Sequence, residues 1–271
     1  MTFRELLDAG DLGSAIDDLT RQVKARPADT SLRVSLFELL CFTGDLDRAG
    51  KQLEVVGAQA SGPGGELAVQ GYRDLISAER ARRDVFHAGA LPKFLLPPPP
   101  YVEAHVIIIK KLQREPADAV AMLPAAEEQF PALAGATPTQ SFASFRDADD
   151  RIAPVLEVFH GANYVWLPLE QIAHIQVTEP KSIRDLLWAR ARVETYEQSV
   201  GDVVVPALYV DSHLHGDANV RLGRATEWQL VEEQLVAGVG RRVFLLDDKE
   251  VSLLEVRDLQ FTMARGVAEV P

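Results

Sequence analysis

Two histidines in the segment "VDSHLHGDAN" (residues 210–219) are the side chains whose types and spacing come closest to a reactive centre. His213 and His215 follow an apolar run, "VVVPALYV", that is typical of a β-strand. Alternate residues of an extended chain point to the same side, so both imidazoles could bind one metal ion. The pattern raises the hypothesis of a metal site at the end of a strand.

A metal-dependent hydrolase of the amidohydrolase type would need further ligands, usually two more histidines and an aspartate, from a barrel that follows. Only 56 residues follow His215, and none of them is histidine. A (β/α)8 barrel takes about 250 residues, so it does not fit there. We therefore keep a hydrolase that uses His213 and His215 as an alternative, and favour a polar loop without a metal.

The sequence also lacks the common templates of catalysis and cofactor binding. It contains no Gly-x-Gly-x-x-Gly, no Walker loop, no Gly-x-Ser-x-Gly and no His-Glu-x-x-His. The acidic run "DADD" (residues 147–150) does not have the spacing of a calcium loop and is expected to cap the strand that follows. We expect a protein that is not an enzyme and has no cofactor.

Composition narrows the class of partner. The 271 residues carry a formal net charge of −12 and a pI near 5.0, which disfavours binding to nucleic acid. The single cysteine, Cys41, cannot form an intramolecular disulfide. The longest apolar runs, such as "VIII" (residues 106–109), are too short to span a bilayer, and the N-terminal residues do not resemble a signal peptide. We expect a soluble cytoplasmic protein without membrane contact.

The elements of the N-terminal half repeat at 34 residues. The matching pairs are Gly10 and Gly44, Asp11 and Asp45, Leu12 and Leu46, Ala15 and Ala49, and Leu19 and Leu53. Glycine suits the left-handed residue after a helix, and aspartate suits the N-cap of the next helix. A helix-turn-helix period of 34 residues is the tetratricopeptide length. Another unit is expected at residues 115–131, with a drifted unit around residues 66–86 before it.

Beyond about residue 140 the apolar period changes from 3.6 to 2 residues. Strands are predicted in "VLEVFHGANYVWLP", "IAHIQV", "VVVPALYV", "RRVFLLD" and "VSLLEVRDLQF", whereas "SIRDLLWARA" and "TEWQLVEEQLVAG" are interpreted as helical or mixed. We predict a domain of degenerate tetratricopeptide-like helical repeats at residues 1–135 and a smaller α+β domain at 140–271. The proline-rich segment at residues 91–100 is expected to be a stiff connector between two helices.

Five stretches in this order resemble the ImpE family over nearly the full length. They are "LFELLCFTGDLDRA", "FRDADDRIAPVLEVFHGANYVWLP", "PKSIRDLLWARA", "RATEW" and "GVGRRVFLLDD". The family includes the TagJ-type accessory proteins of bacterial type VI secretion systems. The resemblance implies a helical-repeat domain followed by an α+β domain, and a binding role instead of catalysis.

The resemblance also implies a partner, namely the N-terminal helical segment of TssB, the small subunit of the contractile sheath. Binding would modulate sheath assembly or its recycling by the ATPase ClpV, with which contact would be indirect. A helical-repeat scaffold for another cytoplasmic protein remains an alternative, as does the metal-dependent hydrolase.

Four residues are candidates for partner contact. Phe37 lies beside the apolar stripe of its helix and is not needed to complete that stripe, so it is the preferred anchor in the repeats. Arg184, Asp185 and Trp188, within the family-like motif "IRDLLW", form the rival site. The three tryptophans all lie after residue 140, so they are expected to report unfolding of the second domain alone.

Overall fold

The computed structural model describes residues 2–60, 62–197 and 199–263. Helices occupy the N-terminal half and strands the C-terminal half. The helices are α1 (Phe3–Asp8), α2 (Leu12–Ala25), α3 (Thr30–Phe42), α4 (Leu46–Gln59), α5 (Gly62–His87), α6 (Pro100–Leu112), α7 (Pro116–Glu127) and α8 (Ala218–Arg221).

The strands run from residue 135 to residue 261. They are β1 (Gly135–Ala136), β2 (Ser141–Phe142), β3 (Phe145–Asp147), β4 (Val155–His160), β5 (Asn163–Pro168), β6 (Ile172–Val177), β7 (Trp188–Thr195), β8 (Ser199–Pro206), β9 (Thr226–Val231), β10 (Leu235–Gly240), β11 (Val243–Leu246), β12 (Lys249–Ser252) and β13 (Asp258–Phe261). Short 3-10 turns lie at Leu169–Gln171, Ile183–Leu186 and Ser212–Leu214.

The predicted caps of the 34-residue repeat are present. Gly10 and Gly44 adopt positive φ angles of 82° and 73°, which a glycine reaches without a Cβ clash. The side chains of Asp11 and Asp45 accept hydrogen bonds from the N–H groups of Ser14 and Arg48, and so cap α2 and α4. Local sequence therefore fixes where each of these helices begins.

The repeated apolar positions form the core of the helical half. Buried side chains recur on one face of α2 and of α4, with Leu19 and Leu53 at 0% and 1% exposure. Helix α3 lies between them and is buried on most sides, because its apolar residues cover more than one face.

Replacing Leu53 with alanine should lower the free energy of unfolding by about 2 to 5 kcal/mol, because a buried cavity remains. Leu19→Ala should behave alike. Leu67→Ala is the matched control, since Leu67 is helical but 75% exposed. Urea denaturation measures all three. A loss below half a kcal/mol at both buried positions would contradict the inferred repeat core.

Between residues 62 and 87 the chain forms one helix of 26 residues in place of a drifted helix pair. Its first part is rich in glycine and largely exposed, whereas Ile76, Glu79, Arg82 and Phe86 are buried. The apolar face of the second part lies against β4 and β5. Helix α5 therefore joins the helical half to the sheet.

An eight-stranded antiparallel sheet forms the centre of the C-terminal half. The strand order is β2-β1-β13-β6-β7-β8-β4-β5. One face packs on the helices, and the other packs on a three-stranded sheet of order β12-β11-β3. The hairpin β9–β10 lies against α6 and α7 through Leu235 and Ala237.

Two segments differ from their predicted type. The segment "SIRDLLWARA" forms one 3-10 turn and then strand β7, and "TEWQLVEEQLVAG" forms the hairpin β9–β10. The predicted hairpin of β4 and β5, with its turn at His160–Asn163, is confirmed.

The proline-rich segment does connect two helices, α5 and α6, and it also protects a sheet edge. Lys93 pairs in parallel with β5: its N–H donates to the carbonyl of Tyr164, and its carbonyl accepts from the N–H of Trp166. The unpaired edge of β5 is thus partly covered by backbone, which limits pairing with other chains.

A buried ion network crosses between α5 and the sheet. Arg82 donates to both oxygens of Glu157 at 2.8 and 3.1 Å, and Arg242 lies 3.1 Å from the same carboxylate. Arg242 also donates to Asp147 at 2.7 Å. Burial opposes ionisation of Glu157, but the two guanidinium groups dominate and lower its pKa to about 2. Burial raises the pKa of Asp147 to about 6.

The hydrophobic core is shared by the two halves. The largest buried cluster joins residues of α2–α6 to Phe159, Trp166 and Trp188 of the sheet. The structure therefore has helices and strands around common apolar contacts.

Candidate functional site

Phe37, the preferred anchor from the sequence, is a core residue. Its ring is 0% exposed and contacts the ring of Tyr72 edge-on, with 4.9 Å between centroids. A fully buried ring cannot contact a partner, so the structure corrects this expectation. The sequence placed Phe37 beside the apolar stripe, but α3 is surrounded by other elements and buries it.

The four candidates nevertheless lie near one another. The Arg184 guanidinium carbon is 5.0 Å from the centroid of the Tyr72 ring that covers Phe37. Asp185 is buried and accepts hydrogen bonds from the N–H groups of Lys181 and Ser182. Burial opposes its ionisation, but these bonds lower its pKa below the usual range. Asp185 therefore stabilises the turn that positions Arg184.

Tyr72, Arg184 and Trp188 line a groove of about 900 Å³ between α5 and the sheet. The wall on α5 is formed by Ala68, Gly71, Tyr72, Asp74 and Leu75. The opposite side is formed by residues of β6, β7, β8 and β13, and the base by Phe159 and Trp188. Helix α5 packs on β4 and β5, so this groove follows the strip of sheet beside it.

The α5 wall presents a helical stripe without a partner. Ala68, Gly71, Tyr72 and Leu75 are at i, i+3, i+4 and i+7, so they share one face. Ala68 and Gly71 are exposed, and a Cβ added at Gly71 would meet no atom within 4 Å. Together with the partly exposed Val204 of β8, these residues give the groove an accessible apolar surface.

The sheet side of the groove carries rows of polar residues. Arg192 lies opposite Asp202 on β8 and Gln176 on β6, and Gln176 lies opposite Asp258 on β13. Arg192 donates to Asp202 at 3.0 Å. The next row places Arg190 opposite Val204. The apolar base therefore borders a polar surface along β7.

The two histidines of "VDSHLHGDAN" contact different groups. The ring of His213 lies against Gly44, where a Cβ would overlap it, and burial lowers the pKa of His213. The Nε2 atom of His215 is 3.2 Å from a carboxylate oxygen of Glu227. Among residues 2–60, 62–197 and 199–263, no group of three or more His, Cys, Asp or Glu side chains could hold a metal ion.

Gly44 thus has a second role that the repeat did not predict. It ends α3 and also accommodates His213 from the C-terminal half. Nearby, His87 of α5 lies 2.9 Å from Asp211. These polar contacts connect the loop after β8 to the helices.

Comparisons with known proteins agree with this architecture. The chain is 36% identical over 265 residues to the type VI secretion system accessory component TagJ of Pseudomonas aeruginosa, covering 96% of this chain and 91% of that protein. The model of the ImpE protein family matches residues 139–260. The chain belongs to the ImpE family.

A solved structure shows the same fold as this ImpE-family chain. The X-ray structure of a Vibrio parahaemolyticus protein superposes with a TM-score of 0.88 at 25% identity, covering 96% of this chain and 97% of the other. Helices followed by a β-rich part are thus the arrangement of this ImpE chain. In the described part of the chain, no helix is long and apolar enough to cross a membrane.

Sequence reasoning on this ImpE chain missed Gly71, Tyr72 and Arg190. A signal for Arg190 was available, since strand alternation in "WARAR" puts Trp188, Arg190 and Arg192 on one face. That signal was hidden because the segment was read as helical or mixed. Gly71 and Tyr72 form a site only through contacts that are distant in the sequence.

Proposed function

We propose that this protein is a non-enzymatic accessory component of a type VI secretion system. It binds the N-terminal helical segment of the small sheath subunit, TssB, in the groove between α5 and the sheet. Binding modulates sheath assembly or the recycling of the sheath by ClpV in the cytoplasm. The observation that carries the proposal is this groove, in a chain with 36% identity to an accessory component.

The dimensions of the groove suit a helix. Neighbouring strands lie about 4.8 Å apart, so the strip formed by β7, β6 and β13 is roughly 10 Å wide between its outer strands. A helix with its side chains is about 10 Å in diameter. A bound helix would lie beside α5 on the same face of the sheet and would cover Tyr72, Leu75 and Val204. Laying an apolar helix face into such a groove is a common mode of peptide recognition.

The helical half supports the groove wall in this proposal. We assign α1–α4 as degenerate tetratricopeptide units, on the basis of the 34-residue spacing and the matched caps. We take residues 1–135 and 140–271 as the two structural domains. The first domain holds α5 in place through Phe37 and its neighbours, and the second supplies the base and the polar side.

Filling the groove at Gly71 should abolish binding without loss of stability. Leucine at this position would project into the groove, where a Cβ meets nothing within 4 Å. Leucine also forms helix better than glycine, by roughly 0.5 to 1 kcal/mol. We expect Gly71→Leu to weaken binding to TssB tenfold or more, about 1.4 kcal/mol, with an unchanged or higher melting temperature.

Gly64→Leu is the matched control. Gly64 lies on the same helix, a Cβ there also meets nothing within 4 Å, and it does not line the groove. Isothermal titration with TssB, with and without its first twenty or so residues, measures the affinities. Equal binding by both variants would place the partner elsewhere on the molecule. Absence of binding by the wild type would overturn the TssB assignment.

A further inference from the structure

Arg190 is a cation at the groove without a close partner. Its side chain is 51% exposed, and the nearest carboxylate, that of Asp185, is 3.9 Å away. That carboxylate is already occupied by two backbone N–H groups and by Arg184. Among the residues that the structure describes, the Arg190 guanidinium donates no hydrogen bond that could hold it in place.

Two neighbouring arginines of the groove are paired by contrast. Arg192 lies 2.9 Å from Asp202, and Arg257 lies 3.2 Å from Glu179. Both stay near carboxylates of this chain. Arg190 is therefore the arginine on β7 that is available to a bound carboxylate.

The charge of the groove differs from that of the whole chain. Four arginines line it (Arg184, Arg190, Arg192 and Arg257) against three aspartates (Asp74, Asp202 and Asp258). The whole chain carries a net charge of −12. The groove lining has one excess positive charge, which favours an anionic group at this point of an otherwise acidic protein.

Trp188 gives a second indication that the groove is incomplete when empty. It lines the base two residues before Arg190 on the same face of β7. Its indole N–H is buried and has no hydrogen-bond acceptor among the described residues. An unsatisfied buried donor costs free energy unless a partner or water satisfies it.

We propose that the bound segment is a helix that places a carboxylate side chain against Arg190, with its apolar face on Tyr72, Leu75 and Val204. This inference rests on the proposed function of the groove and names the chemistry of its occupant. The register supports the arrangement, because Arg190 lies opposite Val204, where the apolar base meets the polar side. A carboxylate can accept two hydrogen bonds from one guanidinium group, which fixes the register of the helix.

The first test compares two neutralised arginines on one strand face. The probe is a synthetic peptide of the first twenty or so residues of TssB, titrated calorimetrically at low and moderate salt. We expect Arg190→Gln to weaken binding about tenfold and Arg192→Gln less than threefold, since Arg192 is held by Asp202. Replacing one acidic residue of the peptide by its amide should lose the same affinity with wild-type protein and nothing further with Arg190→Gln. Equal effects of the two variants would overturn the inference.

A second probe separates this inference from the TssB assignment. Two designed amphipathic helices share one leucine stripe and carry glutamate or lysine beside it. We expect the wild type to prefer the glutamate peptide and Arg190→Glu to prefer the lysine peptide. This reversal together with no binding of the TssB peptide would keep the carboxylate inference and reject the TssB assignment. No preference between the designed peptides would reject the inference while TssB binding could still hold.

Discussion

Replacing Glu157 with glutamine should lower the free energy of unfolding by about 3 to 5 kcal/mol. The carboxylate is 0% exposed and lies between Arg82 and Arg242, whose side chains are 4% and 0% exposed. Glutamine keeps the shape of the side chain but removes the charge, which leaves two buried guanidinium groups with fewer opposite charges. Urea denaturation followed by circular dichroism measures the loss.

Glu194→Gln is the control for Glu157→Gln, because Glu194 belongs to the same sheet but has a side chain that is 52% exposed. It should change stability by less than half a kcal/mol. The folded pKa of Glu157, about 2, lies below its usual value of 4.5, so its contribution is present above pH 4.5 and is lost as the pH falls through 2. The Glu157→Gln variant should therefore lose less stability than the wild type between pH 4.5 and 2. A cost below 1 kcal/mol at pH 7 would contradict a stabilising role for this network.

The fragment of residues 138–271 should fail to fold alone. Without the helices, Trp166 and Trp188, which are 0% and 2% exposed in the full chain, would face water together with Phe159. Glu157 would also lose Arg82. We expect solvent-like tryptophan emission and no cooperative unfolding transition. The sequence-based expectation that the tryptophans report on the second domain alone is thereby replaced by one joint transition of the full chain.

Co-expression with residues 1–137 provides the control for this fragment. If the shared core is the cause, the two pieces should associate and recover the blue-shifted emission of the full chain. A fragment that shows this emission by itself and unfolds cooperatively would establish an autonomous second domain. In that case the contacts between helices and sheet would be a docking interface.

Local signals allowed much of the helical half to be predicted. The stop at Gly10 or Gly44 and the start at Asp11 or Asp45 depend on residues within one helical turn, so the sequence carries them directly. The burial of Leu19 and Leu53 follows from the same periodicity. The position of Phe37 was not predictable in this way, because it depends on which elements surround α3.

The hairpin β9–β10 was missed because its turn has no turn residue. Glu232 and Glu233 occupy the two turn positions with φ angles of 49° and 57°, where asparagine and glycine are usual. Trp228, Val231 and Leu235 are spaced as on a helix face, so the apolar pattern favoured the wrong period. Tertiary packing against α6 and α7 overrides both signals.

The groove could not be predicted from the sequence for a different reason. Its wall comes from residues 68–75 and its other side from residues 159–258, so no window of the sequence contains both. The motif "IRDLLWARA" did locate part of it, since Arg184, Trp188 and Arg190 all line the groove. The strand pairing that opposes Arg190 to Val204 had to be seen in the structure.

The position of β13 has a consequence for biosynthesis. This strand, Asp258–Phe261, is the last one in the described chain, yet it lies between β1 and β6. The β1–β2 pair joins the eight-stranded sheet only through it. At 5 to 20 residues per second, a ribosome takes roughly 15 to 50 seconds to make 271 residues. The edge of β6 that will receive β13 therefore stays open until translation is nearly complete, and this nascent chain is a natural client for chaperones that bind near the ribosome exit.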